Sequence, residues 1–75
     1  ELRMVMLMSF GEALKKAREE AGLTQTEFAK LVGVSFSSIN RYENGHHEPT
    51  PIVLNAIKAF FKKKGISFSY DPSEG

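Results

Sequence analysis

Six side chains between positions 25 and 44 have the types and spacing to meet a surface of hydrogen-bonding groups: Gln25, Phe36, Ser37, Asn40, Arg41 and Asn44. With Ile39 and Tyr42 turned inward, the step of about 100° per helical residue puts Ser37, Asn40, Arg41 and Asn44 on the opposite face. The chemistry suits the edges of base pairs in double-stranded DNA. Arginine donates two hydrogen bonds to guanine, asparagine bonds adenine at two points, serine reaches either a base or a phosphate, and an apolar ring such as Phe36 can meet a thymine methyl. Gln25, together with the backbone amides near it and those from Gly45 to Thr50, suits phosphate oxygens, contacts that set register without reading sequence.

Other chemistries have little to work with. The 75 residues contain no cysteine, which removes disulfides, thiolate zinc sites and thiol nucleophiles together. His46 and His47 are adjacent in a loop without a third ligand, so no metal is expected there, and the alternation of Met4, Met6 and Met8 reads as packing or start-site ambiguity rather than a soft-metal site. An enzyme needs a base and a nucleophile within reach; Asp71 is the sole aspartate and lies near the end, so neither catalysis nor a cofactor is expected.

Net charge is only +1, yet between Phe10 and Lys64 nine basic side chains stand against six acidic ones. That excess is compatible with a polyanion, although the run Lys62 to Lys64 also suits a helix C-terminus electrostatically. The length allows one domain near the lower size for a self-sufficient core, which favours help from a second copy, a homodimer. The apolar stretch "MVMLM" is far short of the roughly 20 residues of a membrane span, and no signal-peptide pattern follows it. The expected location is the cytoplasm, with no membrane partner.

These side chains need helices to hold them. Ser9 with Glu12 opens a first helix whose apolar positions Phe10, Leu14, Ala17 and Ala21 share a face, and Gly22 closes it. Thr24 with Glu27 opens a second, about two turns long, ended at Gly33. Ser35 caps a third that runs to about Asn44, with Gly45 at its end, and Thr50 with Pro51 starts a fourth that runs to Lys64, carrying Val53, Leu54, Ile57, Phe60 and Phe61 on one stripe. Ala29 is small where helices two and three must approach, and a larger side chain should overpack by about 1 to 3 kcal/mol. Gly33 supplies a left-handed backbone that would cost an L-residue roughly 1 to 2 kcal/mol.

Outside this core of residues 9–64, the ends read as arms of a single domain spanning 1–75. Ile66, Phe68 and Tyr70 alternate with Ser67 and Ser69, which predicts a short β-strand over Ile66–Tyr70. Its candidate partner is the segment Leu2–Met8, paired within the chain or across a dimer; the alternative is an unpaired terminus containing several start methionines.

The stretch "LKKAREEAGLTQTEFAKLVGVSFSSINRYENGHHEPT" resembles the Xre family of bacterial and phage regulators, the Cro and phage-repressor (Cro/C1) type of helix-turn-helix domain, over about Phe10 to Lys64. The likeness combines "GLTQxxFAxxxGVS" with "INRYENGxxxP" at the family spacing. It implies a mainly α, lambda repressor-like bundle of about four helices that binds operator DNA as a dimer, with the helix from Ser35 to Asn44 as recognition helix in the major groove. By the same resemblance Phe36, Ser37 and Arg41 are the foremost base readers. It also sets Arg18 opposite Glu43 as a largely buried ion pair, a structural role. Many family members carry a fifth helix used in dimerisation; here Gly65 and "ISFSYDP" stand in its place. Similar segments occur beside restriction-modification and toxin-antitoxin proteins, so the alternative function is a protein-interaction adaptor or antitoxin module with the same fold.

Overall fold

The computed structural model describes residues 8–70. Among them four helices follow in order: α1 (Phe10–Glu20), α2 (Gln25–Val32), α3 (Phe36–Glu43) and α4 (Pro51–Lys64). Their starts are set by bonds within one turn. Ser9 Oγ accepts from the Glu12 amide at 3.2 Å while Glu12 Oε1 accepts from the Ser9 amide at 3.2 Å. Thr24 and Glu27 repeat the exchange at 3.1 and 2.9 Å. Each reciprocal pair satisfies amides that a first helical turn leaves without partners. Ser35 Oγ accepts from the Ser38 amide at 3.1 Å, and Thr50 Oγ1 from that of Val53 at 3.4 Å, with Pro51 in the first turn of α4.

The link between α2 and α3 is three residues long, Gly33 to Ser35. Gly33 sits at φ 81°, and both its own amide and that of Val34 donate to the Ala29 carbonyl, at 2.9 and 3.0 Å. The left-handed residue ends α2 and lets Ser35 begin the next helix two residues later. Ala29 and Ile39 are both buried in the shared core. α3 packs on α1 as well as α2, and α4 closes the far side against α2.

The centre of the fold is Leu14, Phe28, Ile39, Ile57 and Phe61, all essentially inaccessible to water. Phe28 stacks on Phe61 with ring centroids 5.3 Å apart, and Phe60 meets Phe28 edge-on at 5.5 Å. Of the stripe expected on α4, Ile57 and Phe61 are fully buried, whereas Val53, Leu54 and Phe60 are half-buried.

Gly11, inside α1, marks a close approach that helix periodicity does not reveal. A Cβ built there would lie 2.6 Å from the Tyr42 carbonyl oxygen and 2.7 Å from that of Glu43. The first turn of α1 therefore rests directly on the last turn of α3.

The segment Ile66–Tyr70 is not a strand. It has no ladder among the described residues and lies as an irregular tail, its Ile66 amide donating to the Phe61 carbonyl at 2.9 Å to close α4. The alternation is present but serves packing. Ile66 and Phe68 lean on the core, Phe68 meets Phe61 at 5.2 Å and Phe10 at 5.9 Å, and Tyr70 meets Phe10 edge-on at 5.1 Å. Period-two apolar spacing requires only an extended chain over an apolar surface; a β-strand also requires a neighbour for its backbone groups. The proposed partner, Leu2–Met8, lies outside the described residues except for Met8, which is not in a regular element. No described helix is long and apolar enough to cross a membrane.

Candidate nucleic-acid interface

α3 is held from its inner side. Ile39 is fully buried and Tyr42 is 5 % exposed, with Val34 packed beside them. Tyr42 meets Phe10 edge-on at 6.4 Å and stacks on His47 at 6.0 Å, so the loop after α3 is pinned to the same ring. With that side occupied, Phe36, Ser37, Arg41 and Asn44 are exposed, and Asn40 is half-buried. Phe36 leaves half of its surface to solvent, and no salt bridge among the described residues involves Arg41. Phe36 and Ser37 stand in the first turn of α3, Asn40 and Arg41 one turn on, and Asn44 caps the end.

Three of the six residues selected from sequence are joined by hydrogen bonds. Asn44 Nδ2 donates to the Asn40 carbonyl at 2.8 Å and to Asn40 Oδ1 at 3.3 Å. Asn40 Nδ2 donates to Gln25 Oε1 at 3.3 Å, and Gln25 Nε2 donates to Glu43 Oε1 at 2.9 Å. Gln25 is thus half-buried and engaged at both ends of its amide, rather than standing free at the start of α2. Each carboxamide still retains hydrogen-bonding capacity, because an NH2 group has two donors and an amide oxygen two lone pairs.

The row ends on an ion pair. Arg18 Nε donates to Glu43 Oε2 at 2.6 Å and Nη2 to Glu43 Oε1 at 3.0 Å, while Nη1 donates to the Leu23 carbonyl at 2.8 Å. The side chains are 10 % and 3 % exposed. The two-point geometry is the strong form of this interaction, and the third bond ties α1 to the loop before α2. The hydrogen bond to Glu43 raises the Arg18 pKa against the opposing effect of burial, with the Glu43 and Glu19 charges adding to the rise. What sequence reasoning missed is Glu43's second duty as acceptor for Gln25; the partners are 18 positions apart, and no local spacing signals the contact.

Two short helices joined through a left-handed glycine, the second with a sealed inner face and a polar outer one, define a helix-turn-helix domain. The chain belongs to the helix-turn-helix family, in its Xre, Cro/C1-type branch: the family model described as "Helix-turn-helix" matches residues 14–68. Among relatives, the antitoxin PezA of Streptococcus pneumoniae is 51 % identical over 47 residues, covering 63 % of this chain and 30 % of PezA. The transcriptional repressor RghR of Bacillus subtilis is 40 % identical over 55 residues, 72 % of this chain and 41 % of RghR. The P22 c2 repressor, solved in complex with a synthetic operator, superposes with a TM-score of 0.69 at 28 % identity, covering 77 % of this chain and 85 % of that one. The chain spans about a third of the length of the first curated relatives it matches.

Proposed function

We infer that this chain is the sequence-specific DNA-binding part of a transcriptional regulator of the repressor type, inserting α3 into the major groove of double-stranded DNA, as a homodimer in the cytoplasm. The observation that carries the inference is the division of α3: Ile39 and Tyr42 buried, and Phe36, Ser37, Arg41 and Asn44 exposed on the other side. In this role Phe36, Ser37 and Arg41 meet base edges, with Asn40 and Asn44 beside them, and the remaining N–H of Gln25 approaches a phosphate. Arg18 and Glu43 stay beneath as a structural pair. Residues 9–64 form the DNA-binding core, with Ile66 and Phe68 packed back onto it. The operator complex of the P22 c2 repressor and the repressor relative RghR support this role.

Selection of bound sequences from random duplexes tests it. A recurring motif with an inverted repeat is the expected outcome, with affinity falling steeply as salt rises because bound counterions are released. Enrichment of no motif would overturn sequence-specific binding. A second reading, an antitoxin or adaptor domain that also binds protein, is favoured by the likeness to the antitoxin PezA and by the exposed side chains of Leu31 and Ile52.

A further inference from the structure

The hydrogen bonds around α3 run in one direction. Glu43 is a carboxylate in an ion pair with Arg18, so both its oxygens can only accept. Gln25 must therefore aim its NH2 at Glu43 Oε1, which turns its own oxygen toward Asn40. Asn40 must in turn aim its NH2 at Gln25, which leaves Oδ1 on the side of Asn44, where the Asn44 amide meets it. An asparagine side chain has two nearly isosteric orientations, differing in which end donates. Here a buried charge selects one of them three residues away. Within α3, the Asn44 amide, anchored on the Asn40 carbonyl at 2.8 Å, supports the same orientation through its 3.3 Å bond to Oδ1.

We propose that Glu43 and Gln25 are positioning residues for base recognition: the Arg18–Glu43 pair, acting through Gln25, fixes the donor and acceptor ends of Asn40 toward the groove. This rests on the DNA-binding role inferred above. Adenine offers the major groove an acceptor at N7 and a donor at N6, so an asparagine with a fixed amide distinguishes that pair in one orientation from its reverse. An asparagine with its amide reversed sets donor against donor and acceptor against acceptor there, so a side chain free to flip loses much of its preference for adenine. Fixing the amide in the free protein also removes an ordering cost that would otherwise fall on binding.

Gln25→Met tests the relay, since it keeps the length of the side chain, removes both hydrogen bonds and leaves the Arg18–Glu43 pair intact. Base preferences are compared by duplex selection for the parent protein, Gln25→Met and Asn40→Ala. At the position where Asn40→Ala flattens a preference of about fivefold or more, Gln25→Met is expected to flatten it too. A uniform loss of affinity over all sequences, with the preference profile unchanged, would make Gln25 a phosphate contact only and overturn the relay. An unchanged profile in Asn40→Ala would overturn it equally. If the parent enriches no motif, the DNA-binding role itself fails, and NMR of the free protein judges the relay alone. There, the Asn40 carboxamide is expected to be rigid in the parent and mobile in Gln25→Met; equal mobility in both overturns the relay. For Glu43, the double variant Arg18→Met with Glu43→Gln avoids an orphaned charge and leaves at 43 an amide that can point either way. It is expected to mobilise the Asn40 carboxamide as Gln25→Met does, and a rigid Asn40 in that protein would strip Glu43 of the role.

Discussion

Arg41 and Arg18 are the same residue type in opposite settings, and their removal should be felt in opposite places. Arg41 is exposed, outside the described salt bridges, so Arg41→Ala should leave thermal unfolding within about 0.5 kcal/mol of the parent. On the selected operator the same change should cost about 1 to 3 kcal/mol in a titration, the worth of one two-point base contact. Arg18 lies under the surface, and Arg18→Met strands the Glu43 carboxylate, which is 3 % exposed. A loss of about 3 to 5 kcal/mol in chemical denaturation is expected, with most of it recovered by adding Glu43→Gln, because the penalty is the unpaired charge rather than the missing contact. Arg18 itself predicts an absence of pH response. A cation whose pKa is raised on folding adds stability that is complete below its ordinary pKa and is lost as pH rises from that value through the raised one. Arginine does not lose its proton in proteins, so Arg18 contributes no slope to a melting curve measured from about pH 6 to 9.

Contact between helices decides what glycine means at position 11. On propensity alone, Gly11→Ala should stabilise α1 by about 1 kcal/mol. The added carbon would, however, sit 2.6 Å from one backbone oxygen of α3 and 2.7 Å from the next, and backbone cannot rotate aside as a side chain can. The clash should win, with a net loss of about 1 to 3 kcal/mol in denaturation and a weaker complex, since the displaced turn of α3 carries Arg41 and Asn44. This contact was not legible in the sequence, nor was the bond from Asn40 to Gln25, for the same reason: each joins residues from different helices. Helix starts were legible because Ser9, Thr24, Ser35 and Thr50 bond to amides three residues away. The outward face of α3 was legible from the spacing of Ile39 and Tyr42. The tail from Ile66 was half legible, its apolar alternation right and its strand wrong, because spacing records burial and not the identity of the neighbour.

At the scale of the molecule, the proposed role turns on how many copies of α3 face one operator. An α3 of eight residues, reading DNA as proposed, touches few base pairs. That favours two copies related by a two-fold axis, which places two α3 helices about 34 Å apart, one turn of B-DNA, on the same face of the duplex. Inserting about five base pairs between the selected half-sites rotates one of them to the opposite face, whereas about ten restores the face and only lengthens the gap. A rigid dimer should therefore lose the affinity gained from its second half-site on the five-pair insertion, falling toward the binding of an isolated half-site in a titration at constant salt. Independent copies would bind the parent and the five-pair duplex with equal affinity, each half-site filling on its own. Salt dependence supplies a second measure on the same samples: the slope of log affinity against log salt scales with the number of phosphates engaged, so a dimer that loses one half-site should lose about half of its slope.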